Sequence, residues 1–261
     1  ASKSIFSFKE YISRYDHSVS VALLTFKITQ DKLATLSALF HDIATPCFSH
    51  VIDYMNGDYI NQESTEEYTE QILKKDKKLI KLLKEDSIDL EKIVNFKKFP
   101  LVDNNRPKIC ADRLDGIITS SIAWTQNITN TDISEIIKDI SVYKNEEGKE
   151  ELGFSKVRIA KKVLKINQKI DDFCHSKEDM YMMNLLANIT KLFIEKKQIS
   201  YKDLYSYDEE ELWSIIKISK DKEIQELVKK FETIKTIPDL KYPEIKKRVL
   251  NPLVKGKRLL S

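Results

Sequence analysis

The stretch HDIATPCFSH, residues 41–50, guides the interpretation of the fold, because it follows an apolar segment and carries two of the four histidines. The apolar residues before it have helical spacing, which predicts a helix over 31–43 that Pro46 should end or bend. The adjacent His41-Asp42 pair offers a neutral imidazole nitrogen and an anionic oxygen. This combination suits a divalent metal such as Mn, Fe, Ni, Zn or Mg. Two ligands do not hold a catalytic metal, so further ligands must come from elsewhere in the chain.

The composition predicts an all-α fold. The 261 residues are 41% hydrophobic and 33% charged, with only 5 Gly and 6 Pro, which is typical of a folded and mainly helical chain. One small β-hairpin is predicted, with strands at 140–144 and 151–154. We expect a metal-site core over 1–130 and a helical extension over 131–261, packed with the core as one domain. Helices are predicted over 8–28, 31–43, 65–86, 89–96, 109–125, 132–139, 155–173, 177–197, 208–219 and 221–235, with 43–64 irregular and the tail from 238 extended.

The charge balance and the cysteines limit the classes of partner. Lys and Arg number 44 against 41 acidic residues, a net charge of +3, which argues against binding of nucleic acid by charge alone. Cys47, Cys110 and Cys174 are widely spaced and form no CxxC pair. Neither a disulfide framework nor a zinc knuckle is therefore expected, and a reducing cytoplasm fits best. No apolar run approaches about 18 residues and no secretory signal is present, so we expect no membrane segment.

Polar residues on two other predicted helices are candidates to complete the metal site. His17 lies on the helix before His41, and an antiparallel pairing of these helices would bring the two imidazoles together. Asp112 and Asp115 are three residues apart on a later helix, so they share one face. A carboxylate on an apolar helix is costly to bury unless it is paired or bound to a metal. Each of these residue patterns is weak evidence for a metal site when taken alone. Their order along the chain makes the combined evidence stronger.

Five short motifs follow one another in a fixed order: Arg14-x-x-His17, His41-Asp42, Pro46-x-Phe-Ser-His50, Glu63 and Asp112-Arg-x-x-Asp115. This set resembles the HD-domain metal-dependent phosphohydrolases, and most closely their deoxynucleoside triphosphate triphosphohydrolase branch. The likeness covers the segment from residue 14 to about residue 120 well, and the hairpin and the tail at 246–254 more loosely. The resemblance implies an HD-domain helical bundle with additional C-terminal helices, and homo-oligomers are common in that branch.

The resemblance also implies roles for individual residues. It assigns metal ligation to His17, His41, Asp42 and Asp112 (the quartet), catalysis to Glu63 and His50, and phosphate binding to Arg14 and Arg113. Asp115 would orient a neighbouring ligand. A divalent metal lowers the pKa of its bound water towards about 7, and the resulting hydroxide would attack phosphorus in line. The expected substrate is a small phosphate ester, a nucleotide and, by resemblance, a (deoxy)nucleoside triphosphate.

Three positions depart from the pattern of this branch. Thr45 and Gln62 stand where the branch has histidines, and Gly116 stands where it usually has tyrosine. Two alternatives to a nucleotide hydrolase therefore stay open. One is a non-catalytic HD module that binds a nucleotide as a sensor, which the complete quartet disfavours. The other is a hydrolase directed at nucleic acid, which the balanced charge disfavours.

Overall fold

The computed structural model describes residues 5–8, 10–62 and 68–260, and this part of the chain forms eleven α-helices and four short strands. The prediction of a mainly helical fold is confirmed. In chain order the elements are α1 (Arg14–Thr29), α2 (Lys32–Phe40), α3 (Val51–Asn56), α4 (Thr69–Lys75), α5 (Lys77–Glu85), α6 (Ala111–Ser120), α7 (Asn130–Asp139), β1 (Ile140–Lys144), β2 (Glu150–Phe154), α8 (Val157–Cys174), α9 (Lys177–Glu195), α10 (Glu209–Lys217), α11 (Lys222–Thr233), β3 (Leu253–Val254) and β4 (Lys257–Arg258).

The chain divides into two units that interleave along the sequence. The larger unit comprises Phe8–Ile43, Thr69–Asp172 and Arg248–Ser261. The smaller unit comprises Ala1–Ser7, Ala44–Tyr68 and Phe173–Lys247. The predicted division at residue 130 stays a prediction.

Helices α1 and α2 form a closely packed pair in the larger unit, near the positions that the sequence predicted. Ser13 begins α1 through a capping box, in which its hydroxyl accepts the Asp16 N–H and the Asp16 carboxylate accepts the Ser13 N–H. Asp31 begins α2 by accepting the N–H groups of Leu33 and Ala34. The buried faces of the two helices consist of small and aliphatic side chains, among them Val21, Ala22, Leu24, Ala34 and Ala38.

Helix α6 carries Asp112 and Asp115 and packs on α1. The Ala111 N–H donates to the Leu101 carbonyl at 2.8 Å and the Asp112 N–H donates to the Val102 carbonyl at 3.1 Å, so the preceding loop satisfies two amides of the first turn. The aliphatic residues of α6 are buried, and this packing holds the two aspartates against α1. The buried aliphatic residues are Leu114, Ile117 and Ile118.

The four strands form one sheet in the order β1-β2-β3-β4, in which β2 and β3 are parallel and the other pairs antiparallel. The predicted hairpin is confirmed, and the tail that was predicted as extended adds two paired strands to it. Gly153 permits this close pairing, because a Cβ at that position would lie 2.7 Å from the Cβ of Leu253. Fully buried Glu151 accepts hydrogen bonds of 2.5 and 2.7 Å from Arg258, which ties β4 to the hairpin.

In the smaller unit, α3 and α11 each pack on α9. Asp208 and Asp221 begin α10 and α11, because their carboxylates accept backbone N–H groups of the first turns. The core of this unit is aliphatic and aromatic; its fully or almost fully buried residues include Ile52, Ile189, Phe193, Leu204, Leu212 and Ile224.

Three predicted elements differ from the structure. The long helix predicted over 65–86 is two helices, because Asp76 accepts the N–H groups of Lys78 and Leu79 and so begins α5. The segment 43–64, predicted as irregular, contains α3. The short helix predicted over 89–96 is a 3-10 turn at Leu90–Lys92. None of the described helices has the length and apolar character needed to cross a bilayer.

Candidate metal centre

The four predicted metal ligands lie together in the larger unit. His17 comes from α1, His41 and Asp42 directly follow α2, and Asp112 belongs to the first turn of α6. Asp112 Oδ1 lies 3.1 Å from His17 Nε2 and 3.4 Å from His41 Nε2. Carboxylate oxygens of Asp42 lie 3.8 Å from His41 Nε2 and 3.9 Å from His17 Nε2. Ligand atoms of His17, His41 and Asp42 lie within 4.8 Å of one another, and Asp112 Oδ1 contacts both imidazoles of this set.

The imidazole of His17 is oriented by a buried carboxylate. Its Nδ1 donates to Asp115 Oδ2 at 2.7 Å, and the Asp115 side chain is only 5% exposed. The Ser20 hydroxyl donates to the other oxygen of Asp115. This network assigns one ring proton to Nδ1 and directs Nε2 towards Asp42 and Asp112, where it lies 3.1 Å from Asp112 Oδ1. A carboxylate that accepts the second N–H of a histidine is the usual support of a metal ligand.

The imidazole of His41 is oriented by the backbone. Its Nδ1 donates to the Ala38 carbonyl at 2.7 Å, which leaves a lone pair on Nε2. That Nε2 is buried and has no hydrogen-bond partner among the described residues. Its nearest charged neighbours are the carboxylates of Asp112 and Asp42. A buried Nε2 opposite two carboxylates requires positive charge there, as a second ring proton or as a metal ion, and the set of two imidazoles and two carboxylates is of the kind that binds a divalent metal.

The charges of the site are strongly coupled. Burial alone would lower the pKa of His17, but the hydrogen bonds and charges of Asp112 and Asp115 raise it to about 10. Burial acts in the same way on His41, and the carboxylates of Asp112 and Asp42 again raise its pKa. Burial would raise the pKa of Asp112, but the two histidines hold it well below its ordinary value. The carboxylates thus attract positive charge to this point, which a metal ion supplies as well as protons do.

Arg14 lies beside the quartet. Its Nη1 donates to Asp42 Oδ2 at 2.6 Å, and 39% of its side-chain surface is exposed. This contact uses one of the five donors of the guanidinium. Arg14 is therefore placed to hold Asp42 and to contact an anion that approaches the site.

Arg113 contacts a loop of its own unit. Its Nη1 donates to the Lys108 carbonyl and its Nη2 to the Asn104 carbonyl, both at 2.6 Å. The Asp103 carboxylate lies 3.8 Å from the same Nη2, and only 11% of the Arg113 side chain is exposed. These contacts do not favour the predicted phosphate-binding role of Arg113, which stays a prediction.

His50 belongs to the smaller unit, at the N-terminus of α3. Its Nδ1 lies 2.9 Å from Asp53 Oδ2; the histidine side chain is 54% exposed, whereas that of Asp53 is fully buried. The buried carboxylate therefore orients an accessible imidazole. Glu63, the other predicted catalytic residue, lies outside the described residues. Gln62, which replaces a histidine of the branch, is buried with a φ of 56°.

Sequence reasoning did not find every residue of the site. Ser20 was missed, although its position three residues after His17 places it on the same face of α1. Ligand-type atoms of Asp103, Cys110 and Asp112 also lie within 4.8 Å of one another. Burial raises the pKa of the Cys110 thiol to about 12, so this cysteine stays protonated and is a poor ligand. The quartet thus remains the better candidate site.

A family model described as HD domain matches residues 14–119. Among curated proteins, the chain is 23% identical over 222 residues to the uncharacterized protein YdhJ of Bacillus subtilis, covering 83% of this chain and 65% of that protein. It is 22% identical over 224 residues to the metal-dependent phosphohydrolase cns2 of Cordyceps militaris, covering 85% of this chain and 64% of that protein. The chain thus spans just under two thirds of the length of these relatives.

Two solved structures share the fold. One is a hypothetical protein of Aquifex aeolicus, with a TM-score of 0.58 and 19% identity, covering 84% of this chain and 62% of the other. The second is a phosphohydrolase of Bacteroides thetaiotaomicron, with a TM-score of 0.50 and 15% identity, covering 84% and 64%. The segment 14–119 that matches the HD-domain model contains all four residues of the quartet.

Proposed function

We propose that the chain is a metal-dependent phosphohydrolase that acts on a nucleotide, with the quartet as its metal ligands. The observation that carries the proposal is the buried Nε2 of His41, which has no hydrogen-bond partner among the described residues and faces Asp42 and Asp112. Because Nδ1 donates to the Ala38 carbonyl, Nε2 carries a lone pair whenever the ring is neutral. A metal ion resolves this arrangement, because it accepts the lone pair and neutralises the carboxylates.

A divalent metal in such a site supplies a water molecule that ionises near neutral pH and a Lewis acid for a phosphate oxygen. The chain's own contribution begins with orientation. Asp115 and the Ala38 carbonyl fix the two imidazoles, so both Nε2 atoms point to the same place. Arg14 contributes a guanidinium whose fork matches the oxygens of a phosphate, and its contact with Asp42 keeps it beside the quartet.

Proton transfer is proposed for Glu63 and His50. For Glu63 the support is the resemblance to the HD-domain branch. For His50 it includes the buried Asp53 carboxylate, which fixes the ring through Nδ1 and leaves Nε2 to exchange a proton. The leading substrate, by resemblance, is a (deoxy)nucleoside triphosphate; nucleoside monophosphates and other phosphate esters are the alternatives. The name of the Cordyceps militaris relative supports phosphate-ester hydrolysis and specifies no substrate.

A second candidate function is a nucleotide sensor without turnover. Gln62 and Thr45 favour it, because each replaces a histidine that this branch places near the leaving phosphate. The proposed location for either function is a reducing cytoplasm, which the three buried free cysteines support.

The test is a metal analysis of the purified chain followed by a panel of nucleotides with added manganese. Asp42→Ala removes one proposed ligand, and Asp86→Asn, an exposed substitution on α5's C-terminal side, is the matched control. We expect metal and turnover in the control and the loss of both in Asp42→Ala, with the released product showing which phosphate bond breaks. Bound metal without turnover on any phosphate ester would select the sensor. A chain that binds no metal would refute the quartet.

A further inference from the structure

Helix α1 carries apolar side chains on two faces. Val21 and Leu24 belong to the face that is buried in the larger unit. The second face consists of four apolar residues at spacings of four, four and three along the helix: Tyr15, Val19, Leu23 and Phe26 (the α1 stripe). Tyr15 is 76% exposed, Leu23 66% and Phe26 44%. A helix that is apolar on both faces is typically covered on both, and a row of exposed apolar residues marks an interaction surface.

The area of the α1 stripe suits a small protein interface. A fully exposed aromatic side chain presents about 150–250 Å² of surface. With the exposed fractions of Tyr15, Leu23 and Phe26, the stripe presents roughly 300–400 Å² on each copy of the chain. A standard interface buries about 800 Å² on each partner, so the stripe would form the centre of an interface at the low end of this range.

The order of residues along the α1 stripe suits pairing with a second copy of the same helix. In an isologous dimer, residue i meets residue j and residue j meets residue i across a two-fold axis. Tyr15 and Phe26 lie eleven residues apart, and Val19 and Leu23 lie between them at nearly equal distances from the two ends. An axis near position 21 of two antiparallel α1 helices therefore sets Tyr15 opposite Phe26 of the other copy. The same axis sets Val19 opposite Leu23 of that copy.

Two exposed charged residues beside the α1 stripe follow the same axis. Asp16 and Lys27 also lie eleven residues apart, and each directly follows a stripe residue, so both lie on one flank of the stripe. Equal flanks meet in an antiparallel pair, which sets Asp16 of each copy opposite Lys27 of the other. The hydrogen bonds from Ser13 lower the pKa of Asp16 and keep it ionised, and Lys27 Nζ also donates to the Ile137 carbonyl. Exposed ion pairs of this kind add little affinity and fix the register of an interface.

We propose that the α1 stripe is the contact surface of a homodimer in which two α1 helices pack antiparallel about a two-fold axis near position 21. The occupant is a second copy of this chain, because both the apolar pairs and the charged pairs are complementary to the same helix reversed. None of the quartet residues belongs to the stripe, and the inference does not rest on the proposed hydrolase function.

Analytical ultracentrifugation of the full chain over a range of concentrations measures the proposed dimer. We expect monomer and dimer to exchange between about 1 and 100 µM, since the interface is small. Leu23→Glu places a charge at the centre of the stripe and should raise the dissociation constant by about tenfold or more. Leu82→Glu is the matched control, because Leu82 on α5 is 58% exposed in the same unit, and it should leave the dissociation constant unchanged. Circular dichroism verifies that both variants are folded.

Complementary charge variants test the antiparallel orientation. Asp16→Lys sets two cations opposite each other at both flank contacts, and Lys27→Glu sets two carboxylates opposite each other. Each variant alone should therefore dimerise more weakly than the parent chain. An equal mixture of the two variants has opposite charges at both contacts and should recover the dimer as a heterodimer. A structural defect in either variant would not be repaired by mixing.

Three outcomes would overturn the proposal. A chain that stays monomeric up to about 300 µM would mean that another segment or another protein covers the α1 stripe. A dimer whose dissociation constant is unchanged by Leu23→Glu would have its interface elsewhere. A mixture of Asp16→Lys and Lys27→Glu that dimerises no better than either variant alone would refute the antiparallel pairing.

Discussion

Replacing Asp115 should weaken metal binding although Asp115 is not a proposed ligand. Its two oxygens serve different partners, since Oδ2 accepts from His17 Nδ1 and Oδ1 from the Ser20 hydroxyl. Asp115→Asn keeps an acceptor for His17, and its amide can donate to a rotated Ser20 hydroxyl, so mainly the charge is lost. Removal of such a support typically costs about 10- to 100-fold in metal affinity. For Asp115→Asn we expect metal affinity to fall about tenfold, which corresponds to ~1.4 kcal/mol of binding free energy.

Asp115→Ala removes both hydrogen bonds and lets the His17 ring rotate. Metal affinity should therefore fall by about 100-fold, or ~2.7 kcal/mol, at the upper end of the range given above. The assay is competition for manganese or zinc against a chelating indicator at a fixed pH. Glu135→Gln, an exposed substitution in the same unit, should bind metal as tightly as the parent. If folded Asp115→Ala binds metal with the affinity of the parent, then His17 does not need this carboxylate and is not the ligand that we propose.

Three further predictions concern stability and reactivity. Gly153→Ala should separate β2 from β3, because its Cβ would lie 2.8 Å from the Leu253 carbonyl oxygen, and calorimetry should show a lower melting temperature. Arg258→Ala should cost about 3–5 kcal/mol in denaturant unfolding, because it leaves the buried carboxylate of Glu151 without its cation; a cost below about 1 kcal/mol would contradict this pairing. Because the Cys110 thiol has a pKa of about 12, about one part in ten thousand is thiolate at pH 8, and thiol reagents should label it only after unfolding.

Local patterns in the sequence were sufficient to predict α1 and α2 and to bring together the four residues that the structure places side by side. Apolar spacing and the aspartates before α2 predict that helix without any long-range contact. The quartet could be assembled because its members stand in motifs with a fixed order. Asp115 could be predicted as an orienting residue for the same reason, since it shares a helix face with Asp112.

Other features depend on contacts that no local pattern encodes. The pairing of β3 with β2 joins residues about a hundred positions apart, and the tail alone reads as an extended segment. The break between α4 and α5 was missed because the apolar spacing continues across Asp76, whereas the carboxylate caps the next turn. The role of Ser20 could not be predicted, because it depends on which carboxylate oxygen of Asp115 is left without the hydrogen bond from His17.

The two proposed metal-binding histidines differ in how their orientation is encoded. The imidazole of His41 is held by the backbone carbonyl of Ala38. Any residue type at position 38 would provide this carbonyl, so the side chain of Ala38 contributes only through packing. His17 is held by the carboxylate of Asp115, which few residue types can replace. The orientation of His41 therefore follows from the geometry of α2 itself, and that of His17 requires α6 to be docked on α1. Metal binding at the quartet should consequently depend on the α1–α6 contact, because this contact brings Asp112 and the support of His17 to the site together.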